Sequence, residues 1–220
     1  VGDEGEQRLM KSDVAEALLE DYYQEGSQEF IDFVESYSTG KSDSGLIELI
    51  EKLYEFSMSG PEPEEWLWRA LGQYEPESME EWSDTESARF LLQYITLLNE
   101  DWIRRLDRAL ELCREADGPF MYEEALLSDL DKLDVLRRAS GYTELGKALK
   151  AISFDRLSSK KSDEVSPEKR AQVKAARDSV KDDIKGLIRQ FYSRTEHDIL
   201  SDICAARRPL GMLIKLSVEF

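Results

Sequence analysis

Histidine and cysteine are scarce in this chain of 220 residues, with one of the first and two of the second. His197 alone cannot build a His-Glu-x-x-His helix or any multi-histidine metal site. Cys113 and Cys204 lie far apart and neither belongs to a Cys-x-x-Cys pair, which disfavours a zinc site or a disulfide scaffold and fits a reducing, cytoplasmic setting. Each is expected to act as a small buried apolar residue. No stretch approaches the roughly 18 uninterrupted apolar residues of a membrane span, and the opening Val1-Gly2-Asp3-Glu4-Gly5-Glu6 is too acidic for a signal peptide. β-branched residues are few and strand alternation is nearly absent, which leaves the helix as the regular element. Basic charge is also short, with 29 Lys and Arg against 47 Asp and Glu for a formal net charge of -18.

The surplus of acid is uneven. Residues 1–110 hold 27 acidic and 9 basic side chains, whereas 111–220 hold 20 of each. The acidic half reads as a solvated helical surface that keeps the protein soluble and repels nucleic acid. At 25.3 kDa the chain can bury a sizeable core without cross-links, and residues 1–220 are expected to form one domain. The chain opens without Met and closes on Leu213-Ile214-Lys215-Leu216-Ser217-Val218-Glu219-Phe220, an apolar pattern with no cap or breaker. Such ends are expected of a piece of a longer protein.

Three- and four-residue apolar steps recur between Gly, Pro and Ser punctuation, predicting an all-α, irregular bundle of about nine or ten helices. A first helix from about Glu4 to Tyr23 sets Met10, Val14, Leu18 and Tyr22 on one face, and Gly26 breaks it. A second carries Phe30, Val34 and Tyr37 to Thr39-Gly40. A third, capped by Ser42 or Ser44, turns Leu46, Ile50, Leu53 and Tyr54 inward and stops at Gly60-Pro61. Pro63 to about Leu71 forms a short fourth, with proline and glutamates in its first turn. After a loop around Pro76, a helix from near Asp84 repeats Ala88, Leu91, Ile95, Leu98, Trp102, Leu106, Ala109 and Cys113, the expected spine of the fold. Gly118-Pro119 ends it. Two further helices follow, one with Ala125, Leu126, Leu130, Leu133 and Leu136, the other over 142–151. The polar stretch 153–166 is expected to be a mobile loop. Ser166-Pro167-Glu168 opens a helix presenting Val173, Ala176, Val180, Ile184, Leu187 and Phe191 to a core, and a last helix opens at Thr195 and bends or restarts at Pro209.

No catalytic centre or cofactor site is expected in these residues. Gly40-Lys41-Ser42 mimics the end of a phosphate-binding loop, yet the glycine required five positions earlier is Glu35, on a helix with no strand before it. The run Asp129-Leu130-Asp131-Lys132-Leu133-Asp134 lacks the glycine and distal glutamate of a calcium loop and reads as solvated helix surface. A Ser-His-Asp or Cys-His pair meets in space rather than along the chain, and nothing marks one. Trp66, Trp68, Trp82 and Trp102 fall on or beside helices, where packing or an interface is their usual role.

One feature rises above this background. From Lys147 to Arg194 there are 13 basic and 7 acidic residues, and Arg170, Lys174, Arg177, Lys181, Lys185 and Arg189 follow at steps of three or four on one helix. Lys160 and Lys161 lie in the loop feeding it. These eight residues are the candidates for contact with a nucleic-acid backbone, where cations neutralise phosphates without reading sequence. The competing account pairs them with Asp178, Asp182 and Asp183 on an ordinary polar helix face.

Several stretches carry a resemblance. Asp3-Glu4-Gly5-Glu6-Gln7-Arg8-Leu9-Met10-Lys11, Leu53-Tyr54-Glu55-Phe56-Ser57 with Pro61-Glu62-Pro63-Glu64-Glu65-Trp66-Leu67, Phe154-Asp155-Arg156-Leu157 with Lys160-Lys161, Phe191-Tyr192-Ser193, and Arg208-Pro209-Leu210 leading to Phe220 together resemble the helical insertion, often called 1B, of the AddA subunit of the AddAB helicase-nuclease, a relative of RecB and UvrD. The match spans nearly the whole chain and departs at Asp155, where the family pattern expects Pro. It implies a parent with a superfamily 1 motor that binds ATP and Mg, a RecB-like nuclease domain, and an AddB-type partner subunit in a heterodimer. None of those active residues would lie here. The implied role is that of an accessory domain guiding duplex DNA near the motor during recombinational repair of double-strand breaks. The alternative is a helical scaffold or protein-interaction domain, with an apolar patch containing Trp66, Trp68 or Trp82.

Overall fold

The computed structural model describes residues 4–38, 40, 42–160 and 162–220, and these form ten α-helices with short 3-10 turns and no strand. The helices are α1 (Glu4–Glu25), α2 (Gln28–Tyr37), α3 (Ser44–Ser57), α4 (Pro63–Leu71), α5 (Met79–Ser83), α6 (Glu86–Arg114), α7 (Glu123–Leu136), α8 (Gly141–Ala151), α9 (Pro167–Phe191) and α10 (Glu196–Glu219). Four of their starts carry a side-chain cap. Ser27, Ser78, Thr85 and Ser166 each accept a hydrogen bond from the backbone N–H three residues on, satisfying a donor that a helix start leaves orphaned. Gly26 ends α1 with a φ of 64°, a left-handed conformation that glycine adopts without cost.

The helices group into two compact units, 1–76 with 197–220 and 77–196. In the first, Leu19 and Tyr22 of α1, Phe30 and Phe33 of α2, Leu46 and Ile50 of α3, and Met212, Leu213 and Leu216 of α10 form one apolar core. Leu67 and Leu71 of α4 pack against Ile214 beside it. The face of α1 differs from expectation. Ala15, Leu19 and Tyr22 are buried, while Met10 and Val14 stand 67% and 48% exposed. Two apolar stripes one residue apart compete on that helix, and the one meeting α2 and α3 wins. Pro209 does not restart α10; it is buried within one continuous helix, which forgoes a single ladder bond there.

In the second unit α6 is the spine, with α7 and α9 packed along it. Ala88, Ile95, Trp102, Leu106, Ala109 and Cys113 are buried as their spacing predicts, and Leu91 and Leu98 are half-buried. The short α5 replaces part of the expected loop. Its Ser83 hydroxyl donates to the Met79 carbonyl at 2.6 Å and accepts from the Tyr142 N–H at 3.1 Å, tying α5 to α8. Tyr192 stacks on Tyr142 with ring centroids 4.4 Å apart. It also lies so close over Gly146 that a Cβ there would come within 2.5 Å of the ring.

Candidate nucleic-acid interface

Helix α9 exists because Ser166 caps it, Pro167 presets its first turn and Glu168 faces its positive end. Lys169 is held by Glu115 and Asp117, whose nearby carboxylates raise its pKa, the Asp117 hydrogen bond contributing most. The buried stripe along α9 is Val173, Arg177, Val180, Ile184 and Leu187. Arg177 thus occupies a core position in place of the expected surface one, and its side chain is only 2% exposed.

Its partner is Asp129 of α7, fully shielded from solvent, which corrects the expectation of a solvated helix surface for that carboxylate. The guanidinium engages it through two nitrogens, with Nη2 3.2 Å from Oδ1. A buried charge is tolerated only when paired and hydrogen-bonded. Arg177 therefore belongs to the interior, and the surface row loses one member.

Nη2 of Arg177 also donates to the Asp155 carbonyl. The stretch 152–160 is a loop as expected, called the strap below, and that bond is one of several that anchor its residues 153–155. Lys132 donates to the Ser153 carbonyl at 2.7 Å and to the Asp155 carboxylate at 2.9 Å, and Ser128 donates to the same carboxylate at 2.7 Å. These bonds hold the Asp155 pKa below the usual aspartate value, the Lys132 contact most strongly. The Phe154 ring lies 5.3 Å from both the Arg177 guanidinium and the Lys181 ammonium. A proline at 155 would supply none of the side-chain bonds that Asp155 makes.

Between strap and helix lies an open cleft of about 380 Å³, lined by Phe154, Asp155, Arg156, Leu157, Lys174, Arg177, Asp178 and Lys181. The other sequence candidates vary in availability. Lys160, Lys174 and Arg189 are exposed and carry no ion-pair partner among the described residues. Lys185 is exposed with Asp182 at 3.4 Å, and Lys181 is one-quarter exposed with Asp178 at 3.5 Å. Arg170 is half-buried, with Nε and Nη2 shielded and without a hydrogen-bond partner. Lys161 lies outside the described residues. Arg156, exposed and without an ion-pair partner among the described residues, joins Lys174 in the cleft. Spacing on α9 could not reveal it, because it comes from the strap; the Phe-x-Arg-Leu element was its only signal.

The other chemical candidates stay apart. Lys41 lies outside the described residues, and the Ser42 hydroxyl pairs with that of Ser44. Among the described residues no group of three His, Cys, Asp or Glu side chains is placed to hold a metal ion. His197 is exposed in the first turn of α10. Cys113 is buried, and burial pushes its thiol up to about 11. Cys204 departs from expectation and is exposed. No described helix is long and apolar enough to cross a membrane.

No family model matches the chain. Curated relatives do. The AddA protein of Lachnoclostridium phytofermentans, a subunit of an ATP-dependent helicase/nuclease, is 36% identical over 225 residues, covering 100% of this chain and 16% of that protein. The protein of the same name from Clostridium beijerinckii is 33% identical over 223 residues, covering 100% of this chain and 18% of the relative. In that of Geobacillus kaustophilus the identity is 36% over 196 residues, covering 88% of this chain and 16% of the relative. This chain, which spans 16–18% of the length of these relatives, belongs to the AddA family of ATP-dependent helicase/nuclease subunits.

Proposed function

We propose that the chain is an accessory helical domain, of the 1B type, in an ATP-dependent DNA helicase and exonuclease of recombinational double-strand-break repair, and that it guides duplex DNA by its backbone near the motor. One observation carries this reading. In a protein of net charge -18, Lys160, Lys174 and Arg189 stand exposed and without an ion-pair partner among the described residues on α9 and its strap, joined by the weakly engaged Lys181 and Lys185. Unpaired cations of this kind release counterions from a phosphate backbone without selecting a sequence. ATP and Mg belong to motor parts of the parent beyond these residues, an AddB-type chain is its partner, and its setting is the cytoplasm.

Titration of the 220-residue chain with labelled duplex should show weak, sequence-independent binding that falls steeply with salt. Reversing Lys174, Lys181, Lys185 and Arg189 to Glu should abolish it. Arg177 is left intact because its charge is buried. Unchanged binding after the reversal would refute the reading.

A second reading rests on different residues. Phe90, Tyr94 and Leu97 are 65%, 51% and 63% exposed on one face of α6, a stripe suited to protein contact. If this face alone is functional, the chain is a scaffold and the charge reversal changes nothing.

A further inference from the structure

We propose that the cleft between the strap and α9 is a preformed seat for a single phosphodiester group, with Arg156 as its principal ligand and Lys174 and Lys181 at its sides. The inference rests on the DNA-facing reading above and names a discrete site within it, on a residue that the helical stripe does not contain.

The electrostatics of the cleft follow from which charges are already occupied. Two carboxylates near it are offset by other cations: Asp155 by Lys132, and Asp129 by Arg177. Asp178 remains, set against Lys181 at 3.5 Å, a separation beyond an ordinary charge-assisted hydrogen bond. Arg156 and Lys174 have no counter-ion among the described residues. The cleft therefore presents two free cations and a third only loosely held. Its missing counter-charge is an anion, and the fork of a guanidinium matches two phosphate oxygens at once.

The chain leading into Arg156 is anchored before any ligand arrives. The residues just before Arg156 are bound: the Ser153 carbonyl by Lys132, the Phe154 ring against Arg177 and Lys181, and Asp155 through both its carbonyl and its carboxylate. An arginine carried on such a strap loses less freedom on binding than one on a loose loop, which lowers the ordering cost of association. Arg177 acts here as a positioning residue, because its charge is consumed by Asp129 while its Nη2 holds the strap. The cleft is open and has Phe154 and Leu157 as its apolar part. That shape suits one phosphate and its adjoining sugar on a continuous backbone; it has no enclosing walls for a free nucleotide.

The test compares Arg156→Gln, Arg156→Lys and Arg189→Gln in the 220-residue chain, titrated with labelled duplex over a salt series. Arg156→Gln should weaken binding about tenfold at low salt and make the slope of log affinity against log salt shallower by about 0.9, the contribution of one neutralised phosphate. Arg156→Lys should keep that slope. Arg189→Gln, outside the cleft, should cost clearly less than Arg156→Gln. Equal losses for Arg156→Gln and Arg189→Gln, or no loss for Arg156→Gln while the four-residue reversal abolishes binding, would overturn the seat and leave the DNA-facing reading in place. Failure of the unaltered chain to bind duplex at low salt would remove both.

Discussion

The two units differ in how they deal with charge. The unit of 1–76 and 197–220 has 8 basic and 22 acidic residues, a net of -14, and its core is built from apolar side chains. The unit of 77–196 has 21 basic and 25 acidic residues, a net of -4, and carries a bidentate ion pair in its interior. In the first, charge stays on the surface and keeps like-charged polymers away. In the second, charge is also an internal fastener: one buried pair holds α7 to α9 and fixes the strap that lines the cationic cleft. The contrast shows why counting charges along the chain overstates the surface stripe.

The largest expected effect tests that contrast directly. Arg177→Ala should destabilise the protein by about 3–5 kcal/mol, because it strands the Asp129 carboxylate in the interior. Arg208→Ala removes an exposed pair with Asp32 at 3.1 Å and should cost less than about 1 kcal/mol. Denaturant unfolding measures both. The double change Arg177→Met with Asp129→Leu should recover most of the loss, as apolar replacements of a buried pair commonly do. Similar losses for Arg177→Ala and Arg208→Ala would erase the distinction between the units.

A smaller effect concerns packing inside the second unit. Gly146→Ala drives a methyl group into the Tyr192 ring and should cost about 1–3 kcal/mol, whereas Gly186→Ala on α9 meets nothing within 4 Å and should gain about 0.5–1 kcal/mol from helix propensity. Thermal melting of the two variants should move in opposite directions.

The last difference vanishes at neutral pH. Burial pushes Cys113 from 9.0 up to about 11 and Tyr142 from 10.0 up to about 12, and it raises Tyr192 further. Each of these groups ionises in the unfolded chain before it can do so in the folded one. Their contribution is complete below the unfolded values and declines as pH rises from 9 toward 12. The tyrosines of the first unit, Tyr22, Tyr23 and Tyr37, are raised as well. Hydrogen-exchange protection across that pH range should nonetheless decline first on α8 and the end of α9.

Most of the helical framework was legible because periodicity and caps are local. The α6 stripe from Ala88 to Cys113 and the Ser166-Pro167 start of α9 needed only neighbours in sequence to be read. Three departures, the buried face of α1, the Arg177–Asp129 pair and the course of 152–160, involve partners on other helices. Val14-Leu18-Tyr22 and Ala15-Leu19-Tyr22 are equally periodic, and only α2 and α3 choose between them. Arg177 and Asp129 sit in step with the apolar stripes 173-180-184-187 and 126-133-136. That register was visible, but charge type overrode it, because an ion pair 48 residues apart cannot be recognised from either end. The course of 152–160 was illegible for the same reason: its anchors are on α7 and α9. Half of the candidate cleft was therefore readable as the exposed lysines of α9, and the arginine that completes it was not.

The return of α10 to the first unit bears on synthesis. Met212, Leu213 and Leu216 complete a core whose other members come from α1, α2 and α3, so that early portion leaves the ribosome with its greasy faces unmatched until α10 has been translated. The unit of 77–196 is contiguous and can close while translation continues. Assembly should thus run out of chain order, the middle maturing ahead of the beginning, and a chain released after residue 196 should hold one finished unit and one still lacking α10.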